Sequence, residues 1–122
     1  MAHFIYEYSA NLPSETLDLR GLMAKMHHVA ADTGVFPLSG MRSRAQRYEE
    51  FYLADGDPTK GFINLSMRVG GGREHSSRQQ CGELLFNTLT EHLKPLLDSM
   101  PLAISFEMRE LDEHVKYNRK SY

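Results

Sequence analysis

Phe62-Ile63-Asn64-Leu65-Ser66-Met67-Arg68-Val69, then Gly70-Gly71-Gly72, a helical segment, and Leu102-Ala103-Ile104-Ser105-Phe106-Glu107-Met108-Arg109: this stretch decides the fold. Ile63, Leu65, Met67 and Val69 share one face of an extended chain, and Asn64, Ser66 and Arg68 share the other, because side chains alternate across a strand. The second run repeats the pattern, with Leu102, Ile104, Phe106 and Met108 inward and Ser105, Glu107 and Arg109 outward. Between them Cys81, Leu84, Leu85, Leu89, Leu93, Leu96 and Leu97 recur at helical spacing. A helix of that length is what a parallel crossover requires, so the unit is βαβ rather than a hairpin. Ser76 or Ser77, with Gln79 or Gln80 three residues on, is expected to form a capping box, and Pro95 to kink the helix or end its first part near Lys94.

The first half has the same plan. Ala2 to Ser9 is rich in aromatic residues and reads as a strand, Asn11, Pro13 and Ser14 as a loop. From about Asp18, Leu19, Leu22, Met23, Met26, Val29 and Ala30 mark a helix that stops at Thr33-Gly34. Ser39 to Tyr48 reads as a second strand with Arg42, Arg44 and Gln46 on one face and Met41, Ser43 and Ala45 on the other. Phe51 to Ala54 reads as a short strand or extension, and Asp55-Gly56-Asp57-Pro58 as the turn dividing the halves. The expected architecture is therefore α/β, an α+β sandwich. One domain, 1–122, holds two βαβ halves at about 2–54 and 61–111, with a four-stranded sheet, both helices on one face and a polar carboxyl-terminal tail. The uncovered face carries Arg42, Arg44, Asn64, Ser66, Arg68, Ser105, Glu107 and Arg109; it is either a wet surface or the lining of a symmetric oligomer, and pattern alone favours the former.

Composition narrows the function. With 41% hydrophobic and 25% charged residues the chain suits one globular core, and a formal charge of −2 gives no general attraction to nucleic acid or anionic membranes. One cysteine excludes a disulfide within the chain and fits a cytoplasmic setting; no leader-like or membrane-spanning run is expected. The glycine triplet lacks the Lys-Ser/Thr of a P-loop and reads as a flexible turn. His27 and His28 are adjacent and point to different sides of a helix, so no metal site is expected, and Cys81 on an apolar stripe reads as an inert core thiol. Arg42 and Arg44 project the same way, about 6 to 7 Å apart at about 3.3 Å per residue. Two guanidiniums at that spacing suit the carboxylates of one substrate. The plainer reading is a solvated face paired with Glu49 or Glu50, and pattern alone favours it.

Ala2-His3-Phe4-Ile5 with Glu7, Thr33-Gly34-Val35-Phe36-Pro37 leading to Met41-Arg42-Ser43-Arg44-Ala45, Gly70-x-Gly72-Arg73 followed by Ser77-Arg78-Gln79-Gln80-x-Gly82-Glu83, and Leu102-Ala103-x-Ser105-Phe106 occur in one order. Together they resemble the 5-carboxymethyl-2-hydroxymuconate isomerase family of the tautomerase superfamily. The resemblance implies a tautomerase-like fold, a cytoplasmic homotrimer, and isomerisation of a carboxylated muconate in homoprotocatechuate degradation, without metal or organic cofactor. It implies an amino-terminal proline as general base and arginines that hold substrate carboxylates. Arg42 and Arg44 fall in the family's Arg-Ser-Arg segment, and Arg73 in its Gly-x-Gly-Arg position. Ala2 stands where the family has proline. With Met1 removed it would present a primary amine, of reference pKa about 7.7 to 8.0, still able to act as a base. The alternative is a small-dicarboxylate binding protein of the same fold that has lost proton transfer through that replacement.

Overall fold

The computed structural model describes residues 1–122. The elements run β1 (Ala2–Ser9), α1 (Ser14–Leu17), α2 (Leu19–Asp32), a 3-10 turn (Leu38–Gly40), β2 (Met41–Tyr48), β3 (Gly61–Val69), α3 (His75–His92), α4 (Lys94–Leu97) and β4 (Leu102–Glu110). The four strands form one mixed sheet in the order β2-β1-β3-β4. β1 lies parallel to β2 and antiparallel to β3, and β3 lies parallel to β4, so each half contributes one parallel pair.

Alternation dictates which face is covered. Ala2, Phe4 and Tyr6 of β1 and Ile63, Leu65, Met67 and Val69 of β3 are buried against Leu22, Met26 and Ala30 of α2 and Cys81, Leu85 and Leu89 of α3. At about 1.5–3 kcal/mol for each fully buried large apolar side chain, this layer is the main favourable term in the fold. The opposite face is polar and linked side to side. Ser105 Oγ donates to Asn64 Oδ1 at 2.7 Å, Asn64 Nδ2 to Ser66 Oγ at 3.1 Å, and Ser66 Oγ to Glu107 Oε1 at 3.0 Å.

Several local expectations are corrected. Ser14 begins the extra turn α1, and Asp18, in left-handed conformation at φ 42°, ends that turn and caps α2 by accepting the Gly21 N–H at 3.2 Å. A Cβ on Gly21 would collide with the Asp18 carboxylate, so the cap itself demands glycine there. Phe51–Ala54 forms no strand: Phe51 packs edge-on against Phe62 with ring centroids 6.2 Å apart, and Ala54 takes φ 49°. The capping box is absent as well, because α3 starts at His75, before either serine, with Glu74 as a cap that makes no side-chain hydrogen bond. On the helix stripe Leu84 and Leu97 are exposed, since they lie at the margin of the face that meets the sheet. Pro95 acts as read: α3 ends at His92 and a separate turn begins at Lys94. Gly82 also packs closely, with a Cβ there 3.4 Å from the Phe106 ring.

β4 is an edge strand whose inward residues Leu102, Ile104, Phe106 and Met108 remain half-buried. Beside it a groove of about 620 Å³ is bounded by Phe86 of α3 and by Ile104 and Phe106. No helix is long and apolar enough to cross a membrane.

Candidate active site

The amino end emerges in mid-sheet. Ala2 pairs with Met41 on one side and Val69 on the other, is almost fully buried, and places the chain start beside Gly40 and Gly70. The Met1 carbonyl accepts the Gly70 N–H at 3.3 Å. Gly40 lets the backbone approach from the other side, since a Cβ there would lie 3.4 Å from the terminal nitrogen. Burial, followed by the positive charges of Arg73, Lys116, Lys120 and Arg42, pushes the pKa of the terminal amine below its ordinary value. Both effects disfavour the ammonium, so the free base is present at a lower pH, as a proton acceptor working near neutrality requires.

Arg42 and Arg44 project from β2 onto the open face, opposite His3 and Ile5 of β1. Arg44 donates to His3 Nδ1 at 3.2 Å, and Arg42 Nη2 reaches Asn118 Oδ1 at 3.5 Å, the outer limit for such a bond. The Arg42 Nε–H is buried and has no partner. Neither guanidinium meets a carboxylate: Glu49 pairs instead with Arg47, at 3.2 Å, which corrects the reading of a strand face neutralised by Glu49 or Glu50. His3 lies in register between Arg42 and Arg68, and burial, then Arg42, Arg44 and Arg68, lower its pKa. This end of the sheet is therefore a field of positive charge that favours neutral bases and bound anions.

Arg73 sits where the glycine run turns back toward the amino end. Its Nε donates to the Val35 carbonyl at 2.9 Å and its Nη1 to the Gly70 carbonyl at 2.8 Å, while the guanidinium stacks 4.5 Å from the Phe36 ring centroid. Two of its donors are thus committed to the backbone. The side chain holds the loop after α2 against the end of β3, and contributes charge to the site at the same time.

The expected residues Ala2, Arg42 and Arg73 converge on the amino end, and Arg44 stands one side-chain step further out along β2. Sequence reading missed Lys116 and Lys120. Both belong to the polar tail, which doubles back after Leu111 donates its N–H to the Val69 carbonyl at 2.7 Å. Nothing local in Asp112 to Tyr122 signals that return.

The family model described as 5-carboxymethyl-2-hydroxymuconate isomerase matches residues 2–122. The 5-carboxymethyl-2-hydroxymuconate Delta-isomerase of Escherichia coli is 40% identical over 121 residues, which is 99% of this chain and 95% of that protein. The crystal structure of a 5-carboxymethyl-2-hydroxymuconate isomerase from Deinococcus radiodurans R1 superposes with a TM-score of 0.91 at 31% identity, over 98% of this chain and 90% of the other. A fused 4-OT described as a symmetric trimer superposes with a TM-score of 0.61 at 11% identity, over 89% and 85% of the two chains, and shares the fold.

Proposed function

This chain belongs to the 5-carboxymethyl-2-hydroxymuconate isomerase family, and from that premise we propose that it isomerises a carboxylated 2-hydroxymuconate at its amino end. The observation that carries the proposal is the placement of the chain start, held mid-sheet with Ala2 between Met41 and Val69 and with the positive charges of Arg42, Arg73, Lys116 and Lys120 around the Met1 nitrogen. With Met1 removed, the Ala2 amine takes one proton from the substrate and returns one at another carbon of the conjugated chain. The electron pair shifts through the diene, so atoms and charge balance within one molecule, and the reaction needs neither cofactor nor oxidant. Arg42, with its buried and unpaired Nε–H, and Arg44 hold two substrate carboxylates and stabilise the negative charge that develops beside them. Arg73 positions the backbone that frames the amine.

The reading includes a cytoplasmic homotrimer acting in the catabolism of an aromatic compound. Support for association comes from the half-buried apolar residues of the edge strand β4 and from the open polar face of the sheet. Light scattering of the purified chain tests the trimer, and a monomer at micromolar concentration would refute it. The activity is tested by ultraviolet turnover of 5-carboxymethyl-2-hydroxymuconate, with the amino terminus of the same sample established by mass spectrometry. Turnover by the processed chain, abolished by acetylation of its terminal amine, is expected. Undiminished turnover after acetylation would exclude the amine as base. Saturable dicarboxylate binding without any turnover would identify a binding protein instead.

A further inference from the structure

The carboxyl-terminal segment closes over the amino end from outside the sheet. Lys120 Nζ donates to the Ser39 carbonyl at 3.0 Å and to its Oγ at 3.3 Å, and Asn118 meets Arg42 at 3.5 Å. Lys116 Nζ packs against Gly70 so closely that a Cβ there would lie 2.7 Å from it and 3.7 Å from Arg73 Nη1. Two cations thus share the space left by one missing side chain. Lys116 is half-buried, yet its ammonium makes no hydrogen bond or ion pair, and the nearby Glu110 carboxylate is held by Arg78 at 2.8 Å. An ammonium beside a guanidinium and a terminal amine gathers positive charge that a bound anion would offset.

A muconate carries two carboxylates, and a carboxymethyl substituent adds a third. Arg42 and Arg44 account for two. We propose that Lys116, with Lys120 also near the terminal nitrogen, binds the third carboxylate, so that the carboxyl-terminal segment selects tricarboxylates over dicarboxylates. The identity of the ligand rests on the isomerase reading; the anion site itself rests on the geometry.

The test uses the full-length chain and the variants Lys116→Gln, Lys120→Gln and Lys116→Arg. Calorimetry compares binding of propane-1,2,3-tricarboxylate with that of pentanedioate, two unreactive probes, beside turnover of 5-carboxymethyl-2-hydroxymuconate and 2-hydroxymuconate. The wild type is expected to prefer the tricarboxylate by about tenfold or more, the range of one charged contact. Lys116→Gln is expected to remove most of that preference, Lys120→Gln part of it, and Lys116→Arg little. The ratio of kcat/KM for the two substrates should follow the same order, mainly through KM. Circular dichroism identifies any variant that fails to fold, and if Lys116→Gln is one, Lys116→Met takes its place in the comparison of preference. An unchanged preference in both glutamine variants, or a wild type with no preference, would overturn the proposal. A wild type that turns over neither substrate, yet shows a Lys116-dependent preference for the tricarboxylate probe, would remove the isomerase reading and leave the site standing.

Discussion

Replacing Arg73 by methionine separates its structural part from its electrostatic one. The change keeps an unbranched apolar stem but deletes the donors that reach the Val35 carbonyl at 2.9 Å and the Gly70 carbonyl at 2.8 Å, and the guanidinium stacked 4.5 Å from Phe36. Hydrogen bonds to a charged group contribute about 1.5–3 kcal/mol each. The stacked cation adds about 0.5–1 kcal/mol. These contacts share one side chain and do not sum, and Val35 is open enough for water to replace one donor, so a loss of about 3 kcal/mol is expected. For a chain of this size the melting temperature should fall by roughly 10 °C, at about 3–5 °C per kcal/mol. Urea titrations followed by circular dichroism measure the free energy and thermal scans the melting temperature, both at one protein concentration because subunit association would enter the midpoint. Arg73→Lys keeps the charge but cannot reproduce the fork, so it should restore turnover more fully than stability. A methionine variant within about 0.5 kcal/mol of wild type, the ordinary scatter of surface substitutions, would refute the assignment of Arg73 as a clamp between the two loops.

Other outcomes follow from the same geometry. Arg42→Ala should lower kcat/KM by about 10- to 100-fold, the value of one charged hydrogen bond, and Arg44→Ala by less, because Arg44 lies further from the amine and already donates to His3; steady-state assays rank them. Ala2→Pro in processed protein installs the secondary amine that the family resemblance implies and should raise kcat; a kcat below that of wild type would show that this site is built for a primary amine. His27 packs against Phe4 with ring centroids 5.2 Å apart and the planes tilted by 38°, and shares a 2.7 Å hydrogen bond with Ser43 Oγ, while burial, then His28, lower its pKa. Its folded pKa lies below the unfolded value of about 6.5, so the unfolded chain takes up the proton first and the stabilisation is complete above that pH. Stability should therefore drop as pH falls from about 6.5 through the folded value, more steeply in wild type than in His27→Gln, as urea titrations at several pH values would show. Cys81 is buried and its thiol pKa is raised by that burial, so a disulfide reagent should label it only at the rate at which the chain opens; immediate labelling of native protein would contradict the packing.

Much of the frame was legible because it depends on period alone. The alternation of Ile63, Leu65, Met67 and Val69 and the helical recurrence of Leu22, Met26 and Ala30 each place a whole element on its correct face. Features that depend on one residue's surroundings were less legible. Asp18 looks like an ordinary helix start, but its positive φ makes it the joint of two helices. Phe51 has strand-like neighbours, yet it is drawn to the Phe62 ring instead of to a ladder. At the site, the Arg-Ser-Arg spacing displays Arg42 and Arg44 openly, since two residues along a strand always share a side. Lys116 and Lys120 were invisible for the opposite reason: their neighbours at Gly70 and Ser39 are distant in sequence, and only the closed sheet brings them together.

The placement of β1 also bears on the order of events during synthesis. This strand leaves the ribosome before the other three, yet it lies inside the sheet, and Ala2 finds its antiparallel partner only when Val69 has appeared. Until then the apolar side of β1 can be covered from the first half alone, with one of its two hydrogen-bonding edges open. Contacts so distant along the chain are entropically slow to form. Exposed edges of this kind are also where partly made chains stick to one another. Slowing translation between Asp55 and the emergence of β3 should therefore prolong the vulnerable interval and lower soluble yield.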